Sequence, residues 1–172
     1  MKLVKINNIN KDKNNKIMDK NELNTFIRLL QKVFTLKQPP FDLGLIVKES
    51  KSQIEVKEVF EEIKKIVDIE RIVYDETIFD EDAIDKIVDT FQKNKWVFLE
   101  IKKDIGSPLL NQLKHLANYN SFQLIDYQGK DIFEMKMPEN SRLIVFAERD
   151  FIENKISYPH FYRLFGPTLI LQ

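Results

Sequence analysis

The chain has 172 residues, with 27 Lys and Arg against 27 Asp and Glu, two histidines and no cysteine. A domain of this length buries roughly 70% of the surface its unfolded chain exposes, so it needs no covalent staples. Zero net charge argues against a strong general affinity for nucleic acid or anionic membrane, and the lack of cysteine removes disulfides, thiolate metal sites and cysteine nucleophiles together.

From the amino terminus, "KLVKI" reads as a short strand and "NNINKDKNNK" as a polar loop, so residues 1–22 are expected to form a polar leader and residues 23–172 a single α/β domain. Leu23, Phe26, Ile27, Leu30, Val33 and Phe34 fall at helical spacing, and Pro39-Pro40 end that helix. "FDLGLIVKE" is an apolar strand. Val56, Val59, Phe60, Ile63 and Val67 mark an amphipathic helix, "ERIVYDE" a second strand, and Ile84, Ile87, Val88 and Phe91 a helix opened by Asp80, Glu81 and Asp82. "KWVFLEI" is the most continuous apolar strand. Ser107 is expected to cap the next helix, with Pro108 at its first position and Leu109, Leu110, Leu113, Leu116 and Ala117 as its buried stripe.

Two short alternating runs around Gly129 predict a β-hairpin over about 121–138. "SRLIVFAE" is a further strand, "YPHFYRLF" a helical turn and "TLILQ" a last strand. Near-continuous apolar strands alternating with helices predict a three-layer sandwich around a largely parallel five-stranded sheet. No run approaches the ~20 apolar residues of a membrane span, and the amino terminus lacks a signal-peptide core, so a cytoplasmic protein is expected.

The charge is unevenly placed. Glu55 to Asp85 holds twelve acids against four bases, a net of minus eight, whereas the first twenty-two residues hold six lysines against three acids. Solvated helix faces and a polar leader account for both.

Glycine is the most informative count. Gly44, Gly106, Gly129 and Gly166 are all there are, and no two lie within twenty residues. A Gly-rich phosphate cradle needs at least two close together, because only glycine lets the backbone turn at positive φ and bring its N–H groups onto a phosphate. Both the dinucleotide fingerprint and the P-loop are therefore absent.

The element order resembles the large α/β subdomain of an AAA+ ATPase, a P-loop NTPase-type core, over roughly Leu23 to Leu171. "KWVFLEI" is similar to the strand that carries the Walker B acids, and "SPLLNQLKHL" to the segment after it. "MPENSRLIVFAERDF" resembles the sensor-1 strand, "YPHFYRLFG" the segment beyond that strand, and the hairpin a presensor insertion. The functional residues depart from that pattern. The turn after Val47 is Lys48, Glu49, Ser50, Lys51 and Ser52, with no glycine and about three residues too few. Glu49 faces where a triphosphate would lie and repels it. Lys51 and Ser52 therefore read as a plain strand-to-helix turn, with Ser50 or Ser52 as the helix cap.

The resemblance matches the metal-holding Walker B acid to Glu100 or Leu99, the Glu after it to Ile101, and the sensor-1 polar residue to a position near Glu148. Phosphoryl transfer rests on positioning and charge neutralisation, and these substitutions remove most of both. Arg163 lies where some members carry an arginine finger, which makes a subunit that serves an active partner in trans one alternative.

A second alternative is a Mg²⁺-dependent nuclease of the PD-(D/E)xK type. Glu100 and Lys102 stand two apart on one strand face, as its acid and lysine do. The second acid would come from Asp75, Asp80 or Asp82, although a whole helix intervenes. His115, His160 and Ser157 show no triad or His-x-x-x-His spacing.

The sequence leans against an enzyme and expects no cofactor or metal. It favours a protein-interaction or regulatory domain with a protein partner or oligomer. The surfaces singled out are the acidic face and the hairpin, where Phe122, Leu124, Tyr127, Ile132, Phe133, Met135 and Met137 exceed what a short hairpin buries in itself. One face of that hairpin is expected to pack on the main core.

Overall fold

A computed structural model describes residues 18–32, 43–125 and 128–172. The amino-terminal strand "KLVKI", Val33, Phe34, Pro39, Pro40 and Tyr127 lie outside the described residues.

Five strands form one sheet: β1 (Leu43–Lys48), β2 (Ile69–Tyr74), β3 (Trp96–Ile101), β6 (Leu143–Glu148) and β7 (Thr168–Leu171). Between β3 and β6 in the chain, β4 (Ser121–Ile125) and β5 (Ile132–Lys136) form a separate hairpin. The sheet order is β2-β3-β6-β1-β7, and every pairing within it is parallel. At mid-sheet Val145 of β6 sits beside Leu45 of β1 and Leu99 of β3. β3 is buried at all six positions, because helices cover both faces of the sheet. The expected three-layer α/β sandwich is the observed one.

One layer holds α1 (Lys20–Lys32) and α2 (Val56–Lys64). Here Phe26, Leu30, Val59 and Ile63 pack on Ile46, Phe98 and Phe146. α1 lies so close to β1 that a Cβ on Gly44 would stand 2.8 Å from both Leu30 Cδ1 and Phe26 Cζ. Arg142, 2% exposed, fixes the far end of α1 by donating from Nε to the Leu30 carbonyl at 3.0 Å and from Nη1 to the Glu139 carbonyl at 2.9 Å. A cation is well placed there, since a helix C-terminus carries partial negative charge. α1 starts at Lys20, and Met18 just before it is buried against the same layer.

The other layer holds α3 (Asp80–Gln92), α4 (Ser107–Tyr119), α5 (Arg149–Lys155) and a 3-10 turn (Phe161–Leu164). Ile87, Phe91, Leu109 and Leu113 cover Val47, Leu99 and Val145. α4 ends on Asn120, whose φ of 53° is the left-handed conformation of a helix C-cap, with its N–H donating to the Leu116 carbonyl.

Two cap assignments are corrected. Gly106, not Ser107, precedes the first helical residue of α4, and an orphan N–H of that turn, Leu109, is taken up by Asp80 Oδ2 at 3.1 Å. Neither Ser50 nor Ser52 caps α2. Its cap position is Glu55, in extended conformation and with no side-chain cap bond.

The hairpin is antiparallel, with Phe122 opposite Met135 and Leu124 opposite Phe133. Phe122 is fully buried beside Phe91, and Leu124 and Met135 pack on the same core. Gln112 of α4 clamps β4 by donating to the Gln123 carbonyl and accepting from its N–H. At the tip, Ile125, Ile132 and Phe133 stay more than half exposed. The expectation of one packed face holds for the base of the hairpin, because the apolar tip reaches past the helices it packs on.

Candidate functional site

In an open parallel sheet, ligands bind outside the carboxyl ends of the strands, where neighbouring strands send their connections to opposite faces. That point here lies between β1 and β6. β1 leads to α2 in one layer, and β6 leads to α5 in the other. A cleft of about 400 Å³ opens beside it, with Lys48, Glu100, Lys102 and Glu148 among its walls.

The switch point itself is filled by the chain's own charges. Arg149, the first residue of α5, donates from Nε to Glu49 Oε1 and Oε2 at 2.7 and 2.8 Å, and its Nη2 lies 2.7 Å from Oε1. This hydrogen bond to Glu49 raises the Arg149 pKa from its ordinary value. Ser50 Oγ donates to Asp150 Oδ2 at 2.5 Å, which makes a second link across the same gap.

Three amides of the turn are engaged as well. Glu49 N–H donates to the Leu171 carbonyl of β7 at 2.9 Å, and Ser52 N–H to the Glu49 carbonyl at 2.9 Å. Ile54 N–H donates to Ser52 Oγ at 3.3 Å. Ser52 is buried and Lys51 exposed. The turn is thus a compact strand-to-helix connection. Glu55 and Glu58 place negative charge at the start of α2, which disfavours an anion there.

On the next strand, Glu100 is 3% exposed. Arg71, from β2, donates from Nε and Nη2 to Glu100 Oε2 at 3.0 and 2.5 Å, and Lys102 Nζ lies 3.4 Å from Oε1. Glu100 and Lys102 therefore do meet on one face. A buried carboxylate needs such partners, since an unpaired one is expensive. Arg71 escaped the sequence reading. The strand register explains the meeting: Arg71 stands two residues from Val73, the register partner of Glu100, and so on the same side, which no local pattern in the sequence marks.

The second acids are placed elsewhere. Asp80 lies in the opposite helix layer, where it accepts from the Tyr74 hydroxyl and from Leu109 N–H. The Tyr74 hydroxyl in turn accepts from Gly106 N–H at 3.2 Å. Burial first, and then the bond to Asp80, push the Tyr74 phenol up to about 12. Asp75, at the end of β2, accepts from Thr77 Oγ1 at 2.6 Å and Thr77 N–H at 2.9 Å, which lowers its pKa. Asp82 is exposed on α3. Among the described residues no group of three or more His, Asp and Glu is arranged to hold a metal ion.

The histidines form no relay. Asp104 binds Ser157 directly, accepting from its N–H at 3.0 Å and its Oγ at 2.5 Å, while His160 stands edge-on to Tyr158. His115 lies inside α4 with Nε2 buried and without a partner, its ring centroid 4.7 Å from that of Tyr119. Arg163 is exposed on the 3-10 turn, and Phe133 is 56% exposed on the hairpin. No described helix is long and apolar enough to cross a membrane.

Neither a protein-family model nor a curated protein matches the chain. The class its fold defines is an α/β sandwich with a parallel five-stranded sheet and an antiparallel hairpin.

Proposed function

We propose that the chain is a non-catalytic, cytoplasmic protein-interaction or regulatory domain whose core is AAA+-like and does not use nucleotide. The observation that carries this reading is the Glu49–Arg149 ion pair at the switch point. It puts a carboxylate and a filled guanidinium where a phosphate-binding loop would stand, and the turn beneath it donates Glu49 and Ser52 amides to the chain's own carbonyls. An anion there meets a negative charge and a turn with two of its N–H groups already used. The order of strands and helices and the hairpin placed before β6 support the likeness to that core. Calorimetric titration with Mg-ATP tests it. The expected result is no saturable heat, and micromolar binding overturns the reading.

One observation favours a second reading, a metal-dependent nuclease: Lys102 Nζ lies 3.4 Å from Glu100 Oε1 beside an open cleft. Against it, Arg71 holds the other carboxylate oxygen and Asp80 stands in the opposite layer. A Mg²⁺-dependent cleavage assay on single- and double-stranded DNA and RNA, with Glu100→Ala as the control, separates the two. Cleavage lost in that variant would establish the nuclease.

A further inference from the structure

We propose that the groove between α4 and the 3-10 turn docks an acidic peptide segment carrying one apolar side chain. This rests on the interaction-domain reading and names the surface and its partner's chemistry.

The groove encloses about 410 Å³, and its walls bring together Lys114, His160 and Arg163 with no carboxylate among the lining residues. In a chain whose charges balance, most buried or half-buried cations are answered. Arg71 has Glu100, Arg149 has Glu49 and Lys95 has Glu70. The Arg163 guanidinium is exposed at the groove and makes no hydrogen bond or ion pair with another described residue. Lys114 is answered only by a ring, with Nζ 4.4 Å from the centroid of Tyr158. An anion entering a groove lined by two cations and no carboxylate is attracted to it.

Ala117, Leu164 and the Tyr158 ring line the same groove, so it offers an apolar contact for one side chain of an acidic segment. The walls are held in place before any ligand arrives. Asp104, in the loop that opens α4, accepts from both Ser157 N–H and Ser157 Oγ, and the Lys114–Tyr158 contact ties the same segment to the middle of α4. A groove fixed in this way loses little freedom on binding.

A peptide fits better than a nucleic acid. A phosphate backbone is followed by a track of many cations, whereas this groove offers two, Lys114 and Arg163, and the chain's net charge is zero.

The test is fluorescence anisotropy on the full chain with a labelled peptide of alternating Asp and Glu around a single Phe. The expected result is saturable binding that weakens about tenfold in Arg163→Glu and in Lys114→Glu, a loss of about 1.4 kcal/mol. It should stay unchanged in Lys57→Glu, a control on the far layer, and should fall when the peptide's Phe becomes Ser. Arg163→Gln serves as a milder exposed variant, with circular dichroism as the check on folding. No saturable binding, equal binding by Arg163→Glu, or a single-stranded oligonucleotide that binds the groove and is not displaced by the peptide each overturn the proposal. Mg-ATP heat that survives Arg163→Glu would instead sink the nucleotide-free reading and leave the peptide isotherm standing, so the two failures are distinguishable.

Discussion

Glu49 and Arg149 bridge the carboxyl ends of β1 and β6 through two hydrogen bonds from one guanidinium nitrogen, at 2.7 and 2.8 Å. Each side chain is about 30% exposed, which places the pair between a screened surface bridge and a buried one. Charge-assisted, forked pairs are the stronger kind, so a double-mutant cycle of Glu49→Gln and Arg149→Met should give a coupling of about 1 kcal/mol in urea denaturation. A coupling of zero would make the bridge incidental. Neither variant should gain ATP binding, because the turn still lacks the length and glycine of a phosphate loop.

Arg71 and Glu100 give the sharper stability contrast. Glu100 is almost fully buried, so Arg71→Met leaves a carboxylate supported by Lys102 alone. We expect a loss of about 2–4 kcal/mol for that single change, and recovery of much of it when Glu100→Met is added, since removing both charges spares the desolvation cost. Thermal or chemical denaturation of the three variants decides it. A double variant as unstable as the single would show that the cost lies in packing.

Asp80 holds the first turn of α4 as well as the Tyr74 phenol. It joins the Tyr74 hydroxyl to Leu109 N–H, and a Cβ on Gly106 would collide with its carboxylate. Asp80→Ala and Gly106→Ala should each cost about 1–3 kcal/mol, the first by losing the cap and stranding the phenol, the second by displacing the carboxylate. Their combined effect should be less than the sum, because both act on the same bonds. Additive losses would separate the two sites.

The Tyr74 phenol predicts an alkaline transition. Its folded pKa is raised to about 12, above the ordinary value near 10. Between those values the unfolded chain has lost the proton and the folded chain keeps it, so stability is fully present below about pH 10 and falls as pH rises toward 12. The loss attributable to this group is at most about 2.7 kcal/mol, given the two-unit span. Tyr74→Phe is less stable at neutral pH, having lost the bond to Asp80, but its stability should decline less steeply over the same window. Parallel curves for the two proteins would rule out the assignment.

The two ends of the hairpin should behave differently. Phe122→Ala removes a fully buried ring packed on Phe91 and should cost about 3–5 kcal/mol. Phe133→Ser alters a side chain 56% exposed and should stay within about 0.5 kcal/mol. Denaturation midpoints check both. A large loss at Phe133 would mean that the tip is covered in solution.

Much of the fold was legible in the chain. Helical spacing marked α2, α3 and α4 within a few residues, continuous apolar runs marked β1, β3 and β6, and Gly129, at φ 67°, marks the hairpin bend. Cap positions were not legible at Ser52 and Ser107. A serine near a helix start has several amides within reach, and packing of the loop decides which one it meets: Ser52 takes Ile54 N–H, two residues from its own position.

The sequence by itself determined the α/β alternation, the burial of the strands on both faces and the lack of a glycine cradle, because these depend on periodicity and residue type along a few consecutive positions. Only the tertiary structure decided which charges meet. Glu49 and Arg149 lie 100 residues apart and touch because β1 sits between β6 and β7. Arg71 reaches Glu100 because β2 lies beside β3, and Asp80 faces the other layer because α3 crosses behind the sheet. Strand order is set by how the crossovers pack against one another, a long-range balance that leaves no local pattern in the residues it joins.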